Sequence, residues 1–138
     1  MAEREATVNE IMATKVSTLG RNDTLDLADE IMTMSRIRHL PVVDGGRVVG
    51  VVSQRDLFRS ALAAALGYGE RAQKILLKSL NVKEVMSEPA ITIAPNVTVK
   101  EAARQMIEHK IGCLPVVEGY TLVGIVTETD ILRYVLTR

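Results

Sequence analysis

Residues 40–56 read Leu-Pro-Val-Val-Asp-Gly-Gly-Arg-Val-Val-Gly-Val-Val-Ser-Gln-Arg-Asp, and residues 114–130 repeat them as Leu-Pro-Val-Val-Glu-Gly-Tyr-Thr-Leu-Val-Gly-Ile-Val-Thr-Glu-Thr-Asp. Each copy contains an apolar run, a turn signal at Asp44-Gly45-Gly46 or Glu118-Gly119-Tyr120, and a second β-branched run that ends in Ser/Thr-x-x-Asp. This pattern predicts a strand, a hairpin turn, a second strand and the start of a helix.

The repeat extends well beyond this stretch. Placing residue i against residue i+74 aligns the chain without a gap from Val8/Val82 to Leu62/Leu136. Each copy begins with a capping-box pattern, Thr7 to Glu10 or Asn81 to Glu84. A short β-prone piece (16–19 or 90–93) and an amphipathic helix from Thr24 or Thr98 come next. We therefore expect an α+β fold of two tandem β-α-β-β-α repeats, over residues 7–66 and 81–138, joined by a helical linker over residues 67–80.

Composition excludes several classes of protein. Lysine plus arginine equals aspartate plus glutamate at 17 each, and basic residues do not cluster with aromatic ones, so nucleic acid is not an expected partner. The single cysteine rules out an internal disulfide, and the N-terminus lacks the pattern of a signal peptide. The apolar runs are far shorter than the roughly 20 residues that span a bilayer. We expect a cytoplasmic protein that does not contact membranes.

No pattern in the chain indicates catalysis. The phosphate-binding G-x-x-x-x-G-K-S/T loop, the H-E-x-x-H zinc motif and the G-x-S-x-G nucleophile motif do not occur. Cys113 precedes an apolar strand and is expected to be a small buried residue, with neither metal-ligand spacing nor an activating base. We expect a protein that is not an enzyme and that uses no metal or cofactor.

The doubled Leu-Pro-Val-Val, the turn, the glycine-centred strand and the closing Ser/Thr-x-x-Asp together resemble the cystathionine β-synthase (CBS) domain, and the tandem resembles a CBS pair, or Bateman module. The resemblance covers about residues 7–137. It implies small mixed sheets packed about a pseudo-twofold axis with two clefts between the copies, and a homodimer shaped as a flat disc. It also implies a regulatory ligand such as AMP, ADP, ATP or S-adenosylmethionine.

The closing motif suits such a ligand chemically. One ionised aspartate can accept hydrogen bonds from both hydroxyls of a ribose, while a hydroxyl and helix N-terminal amides favour phosphate. Asp56 and Asp130 would bind ribose, and Ser53 and Thr127 would supply the hydroxyls. The same motif is also an ordinary helix cap, so a purely structural role is the alternative.

In the family each cleft is crossed, with base contacts from one copy and the ribose aspartate from the other. Carried over by position, cleft A comprises Val16, Ser17, Ile37, Arg38 and His39 with Thr127 and Asp130, and cleft B comprises Ala90, Ile91, Ile111, Gly112 and Cys113 with Ser53, Arg55 and Asp56.

The surroundings of the two clefts differ in charge. Lys15, Arg36, Arg38 and His39 make the approach to cleft A the more basic, whereas Arg55 and Lys110 are the chief cations at cleft B. Cleft A is therefore expected to take the more highly phosphorylated ligand. A solvated basic face is the alternative, and His39 could equally be a half-buried, hydrogen-bonded histidine.

Three functional hypotheses follow. The first is a sensor that binds an adenosine-containing ligand and signals its occupancy to an effector protein. The second is a ligand-free dimerisation or scaffold module whose clefts are closed by Val16, Ile37 and Ile111. The third is a site for another anion at Arg36, Arg38 and His39, in which a ribose plays no part.

Overall fold

The structure is a computed structural model that describes residues 4–137, apart from the side chains of residues 63–65, 67, 68 and 73. It contains two compact units, unit I (residues 17–90) and unit II (residues 4–16 and 91–137). The sequence repeats and the compact units are therefore offset. The start of each copy, residues 4–16 or 81–90, belongs to the unit that contains the helices and hairpin of the other copy.

From the first helix of each copy onward, the order of elements is the predicted one. Unit I contains α1 (Leu25–Ser35), β1 (His39–Asp44), β2 (Arg47–Ser53), α2 (Gln54–Tyr68), α3 (Glu70–Ser79) and a 3-10 turn (Val82–Glu84). Unit II contains a 3-10 turn (Val8–Glu10), α4 (Val99–His109), β3 (Cys113–Glu118), β4 (Thr121–Thr127) and α5 (Glu128–Leu136). The α+β fold of tandem repeats with small sheets is confirmed.

Each hairpin is antiparallel and has the turn that the sequence predicts. In unit I the pairing runs from His39 opposite Ser53 to Asp44 opposite Arg47, and unit II repeats it from Cys113 opposite Thr127 to Glu118 opposite Thr121. The register shifts once in each hairpin, after Val42 and after Val116, as at a β-bulge.

The β-prone pieces at 16–19 and 90–93 are shorter than expected, because only Leu19 and Ile93 pair, in parallel, with Val42 and Val116. Leu19 donates to the Pro41 carbonyl at 3.0 Å and accepts from the Val43 N–H at 2.8 Å. Extending this ladder to residue 17 would require an N–H from Pro41, which proline lacks. Pro115 imposes the same limit in unit II, so the parallel strand of each mixed sheet is reduced to one residue.

Gly50 and Gly124 each lie where another segment of the chain closely approaches a hairpin strand. A Cβ on Gly50 would lie 2.7 Å from Met86 Sδ and 2.9 Å from the Ser87 carbonyl oxygen. Ser87 and Val51 exchange backbone hydrogen bonds of 2.9 and 3.1 Å. The absence of a side chain at Gly50 therefore lets the segment after the second 3-10 turn lie against β2.

The segment at the start of each copy contributes a buried valine to the core of the other unit. Val82 is fully buried in the unit I cluster around Leu25 and Leu40, and Val8 is fully buried in the unit II cluster around Leu114. The predicted capping boxes hold both turns, since Glu10 accepts from the Thr7 N–H at 2.6 Å and Glu84 from the Asn81 N–H at 2.7 Å. Each core therefore depends on a segment that is distant in sequence from its hairpin.

The second helix extends into the predicted linker, because α2 continues to Tyr68 and the chain turns at Gly69, whose φ of 88° is readily adopted only by glycine. On α1, Met34 lies two residues after the buried Met32, so it points away from the core and is 78% exposed.

Candidate ligand site

In each unit the start of the first hairpin strand lies beside the start of the second helix. His39 pairs with Ser53, and the next backbone N–H, that of Gln54, donates to the Arg38 carbonyl at 2.8 Å. Unit II repeats this arrangement, since Glu128 N–H donates to the Gly112 carbonyl at 3.0 Å. The predicted base-contacting segment and the predicted ribose motif of one copy therefore share one end of its hairpin.

The Ser/Thr-x-x-Asp motif forms a true helix cap in both units. In unit I, Ser53 N–H donates to Asp56 Oδ2 at 2.8 Å, and Asp56 N–H donates to Ser53 Oγ at 3.1 Å. In unit II, Asp130 Oδ2 accepts from both the N–H and the hydroxyl of Thr127, at 2.9 and 3.1 Å. The motif therefore has the capping role that was its alternative interpretation. It can also bind a ligand only if the cap leaves carboxylate oxygens free to accept further hydrogen bonds.

The caps use only part of each carboxylate. An ionised carboxylate has about four acceptor positions, and the cap occupies one on Asp56 and two on Asp130. Within the described part of the chain, Oδ1 of Asp56 has no hydrogen-bond or ion-pair partner, and Oδ1 of Asp130 lies 3.8 Å from Arg133. The Asp130 side chain remains 16% exposed. Both carboxylates can therefore still accept hydrogen bonds from ligand hydroxyls.

The two strand starts differ in chemistry. Arg38 is exposed and His39 half-buried, whereas Gly112 is half-buried and Cys113 is buried. Burial, together with the negative charge of Glu128, raises the pKa of Cys113 to about 12. Cys113 is thus the small, buried, neutral residue that the sequence predicts, and its thiol is not an activated nucleophile.

Four of the predicted residues, Val16, Ser17, Ala90 and Ile91, flank the two points at which the chain passes from one unit to the other. The chain passes from unit II to unit I between Val16 and Ser17, and back between Ala90 and Ile91. Ile37, Arg38 and His39 belong to the same unit as the cap residues Ser53, Arg55 and Asp56. Likewise, Ile111, Gly112 and Cys113 belong to the same unit as Thr127 and Asp130. The crossed assignment of these residues to clefts A and B stays a prediction.

Sequence reasoning missed a backbone feature beside each strand start. Arg36 and Lys110 end α1 and α4 in the left-handed region, with φ values of 54° and 55°. Their N–H groups donate to carbonyls of the last helical turn. Glycine usually occupies this position. The sequence carried no signal for this conformation, because each position holds a basic residue and not glycine.

Two negative findings concern residues 4–137 alone. No group of three or more histidine, cysteine, aspartate or glutamate side chains there could hold a metal ion. No helix in the same range is long and apolar enough to cross a membrane.

The CBS-domain family model matches the chain twice, at residues 8–63 and 82–137. The chain is 33% identical to protein MJ1404 of Methanocaldococcus jannaschii over 96% of its own length, but it spans only 32% of that protein. It is 31% identical to the CBS domain-containing protein YhcV of Bacillus subtilis, over 91% of the chain and 83% of YhcV.

Solved structures with the same fold include a putative acetoin utilization protein from Vibrio cholerae (35% identity, TM-score 0.77, 97% of this chain and 93% of that one). The CBS pair of MJ0100 was solved with 5-methylthioadenosine and S-adenosylmethionine (29% identity, TM-score 0.79, 97% and 98% coverage). CBSX2 was solved with AMP (25% identity, TM-score 0.79, 96% and 97% coverage).

Proposed function

This chain belongs to the CBS-domain family, and from that membership we propose that it is a regulatory module that binds an adenosine-containing ligand and communicates its occupancy to an effector protein. The observation that carries the proposal is the capped aspartate beside a strand start, present in both units as Asp56 and Asp130. The adenosyl ligands of MJ0100 and CBSX2 support the choice of ligand class.

The capped aspartates have the chemistry that a ribose requires. The cap fixes each carboxylate in one orientation before a ligand arrives, which lowers the entropic cost of binding. The acceptor positions left on Asp56 and Asp130 can take hydrogen bonds from ribose hydroxyls, and hydrogen bonds to a charged acceptor are the stronger kind. In this proposal the chain regulates a partner and carries out no reaction itself.

Thermal melting of nucleotide-free protein with millimolar AMP, ADP, ATP, S-adenosylmethionine or NAD tests the proposal. A ligand at 100 times its dissociation constant stabilises the native state by about 2.7 kcal/mol, which raises the melting temperature of a protein of this size by several degrees. We expect such a shift with at least one adenosyl ligand. The absence of a shift with every one of them would contradict the proposal.

Asparagine variants separate the ligand role of each aspartate from its capping role. In Asp56→Asn and Asp130→Asn the side-chain oxygen can still accept the capping N–H, but the second oxygen becomes an NH₂ group that cannot accept a ribose hydroxyl. The ligand-induced shift should fall while the stability of the free protein changes little. Asp23→Asn is the matched control, because Asp23 Oδ2 accepts the Gly20 N–H at 2.7 Å in a turn before α1.

Exposed apolar side chains on α2 and α5 support a second function, dimerisation, which is compatible with ligand binding. Phe58 on α2 and Leu132 on α5 occupy equivalent positions of the two copies and are 63% and 64% exposed. Large apolar side chains exposed at repeated positions are typical of protein interfaces. We propose that these helices pair in a homodimer. Sedimentation of Phe58→Glu and Leu132→Glu should then show monomers, whereas Tyr120→Glu at a hairpin turn should leave the dimer intact.

A further inference from the structure

An apolar groove of about 480 Å³ lies between α4 and α5 of unit II. The apolar side chains that line it are Ala103, Met106, Ile107, Ile111, Ile131 and Leu132. Ile107 and Leu132 are 77% and 64% exposed. A single exposed apolar side chain is normal on a protein surface, but several that line one concavity are typical of a binding surface.

Two charged side chains also line this groove, Lys110 just after α4 and Glu128 at the start of α5. Both are exposed, and neither has an ion-pair partner among the side chains that the structure describes. One charge of each sign makes the surface self-complementary, because in a symmetric pair the lysine of each copy can meet the glutamate of the other.

The equivalent face of unit I is more polar. In the aligned copies, Ala103 and Ile107 on α4 correspond to Asp29 and Thr33 on α1, which are both exposed. The α2 side stays apolar, since Phe58 is 63% exposed. The two units therefore repeat one fold but present helix faces of different polarity.

In the proposed homodimer, unit II of one copy could face either unit of the second copy. Against unit I, the apolar side of α4 would lie opposite a face that contains Asp29 and Thr33, and burying a carboxylate among apolar groups is costly. An ion pair of Asp29 with Lys110 would offset only part of this cost, since the desolvation of a buried ion pair can exceed its attraction. Against unit II, apolar side chains meet apolar side chains, and both surfaces leave water.

We propose that unit II pairs with unit II of a second copy through the groove between α4 and α5, so that the homodimer joins like units. The second copy fits this groove because the groove is apolar and self-complementary in charge. The groove is also continuous with Leu132 on α5, one of the helices of the proposed homodimer. The inference rests on the proposed dimerisation and specifies which units meet.

Opposite charges placed at residue 107 test this pairing. The variants Ile107→Glu and Ile107→Lys are studied separately and as an equimolar mixture by analytical ultracentrifugation of the full chain. If like units meet, both copies of residue 107 lie in one interface. Each variant alone should then raise the Kd of the dimer at least about tenfold, because two like charges share a patch removed from water.

The mixture gives the result that depends on the pairing. If like units meet, glutamate and lysine share one interface, and the mixture should form dimers with a Kd well below that of either variant alone. If unlike units meet, each interface contains one copy of residue 107. Mixing then brings no opposite charges together and recovers nothing.

Glu108→Lys is the matched control for a changed charge on α4. Glu108 is exposed and points about 100° away from Ile107 around the helix, so this variant should keep the wild-type Kd. Circular dichroism checks that each variant is folded, which the 77% exposure of Ile107 favours. If the Ile107 variants do not fold, Leu132→Glu and Leu132→Lys form a second pair for the same mixing experiment.

The outcomes separate the inference from the proposed dimerisation. Wild-type protein that sediments as a monomer at every concentration tested would overturn both. A wild-type dimer that the two Ile107 variants leave intact, or that they weaken without recovery in the mixture, would overturn the inference alone and leave dimerisation in place.

Discussion

Replacing Gly124 by alanine should destabilise unit II strongly. The added Cβ would lie 2.5 Å from Met12 Sδ and 2.8 Å from the Ala13 carbonyl oxygen. Met12 has a flexible side chain that can move aside. The Ala13 carbonyl cannot, because Ala13 and Ile125 exchange two backbone hydrogen bonds of 2.9 Å. Relief of the clash must therefore weaken the contact that holds residues 4–16 on β4.

The expected loss follows from this geometry. Overpacking a well-packed site usually costs about 1–3 kcal/mol, and a clash with a hydrogen-bonded backbone carbonyl places Gly124→Ala at the upper end, about 2–3 kcal/mol. For a chain of this length that corresponds to a fall in melting temperature of roughly 6–12 °C. Urea denaturation followed by circular dichroism measures the free energy of unfolding directly.

Gly20→Ala is the matched control. A Cβ on Gly20 would have Asp23 Oδ2 as its nearest neighbour, at an ordinary contact distance of 3.7 Å. That variant should stay within about 0.5 kcal/mol of wild type. Adding Met12→Ala to Gly124→Ala should recover only part of the loss, because the carbonyl contact remains. A Gly124→Ala protein as stable as the Gly20→Ala protein would refute the reasoning.

Three further predictions concern single sites. The hydrogen bond from Arg4, together with that from the Thr7 N–H, lowers the pKa of Glu10 from 4.5 to about 2. Its stabilising effect should therefore be complete above about pH 4.5 and be lost as the pH falls toward 2, an acid dependence that Glu10→Gln should lack in melting curves. Cys113 should react with a thiol reagent at pH 8 at least about 100 times more slowly in the folded protein than in urea, and equal rates would contradict its burial. Arg36→Gly and Lys110→Gly should each raise the free energy of unfolding by about 0.5–1 kcal/mol, since glycine adopts the left-handed conformation without strain, and a loss of stability would contradict the assigned backbone.

The sequence was sufficient for most of the fold because the decisive signals are local. The alternation of apolar residues, the turn chemistry at Asp44-Gly45-Gly46 and the capping patterns each depend on a few neighbouring residues, and the second copy repeats them. The length of the parallel strand could not be predicted from local patterns, because it depends on which strand of the hairpin it pairs with. Once β1 is that partner, Pro41 limits the ladder to Leu19.

The membership of the compact units could not be predicted from local patterns either. Val8 and Val82 occupy equivalent positions in the two copies, and local patterns give no reason for either to pack with one copy and not the other. The structure places each in the core of the unit formed by the other copy. Which core each of these segments joins is therefore decided by the topology of the whole chain, and the sequence repeat does not reveal it.

The candidate site was predictable in its residue types but not in its detailed geometry. The Ser/Thr-x-x-Asp pattern predicted both a cap and a ribose contact, and the structure shows that the cap leaves acceptor positions on Asp56 and Asp130. The left-handed residues Arg36 and Lys110 were not foreseen, because a basic residue gives no local indication of a positive φ. The hydrogen bond from the Gln54 N–H to the Arg38 carbonyl could not be predicted either, because it depends on the register of the hairpin.

The most direct test of the central claim is a titration of ¹⁵N-labelled, nucleotide-free protein with AMP, observed residue by residue through its backbone amides. The account predicts saturable shifts concentrated at the strand starts and caps, residues 37–39, 53–56, 111–113 and 127–130, with little change at the hairpin turns around Gly45 and Gly119. Spectra without saturable shifts, or with shifts confined to regions away from both capped aspartates, would contradict it.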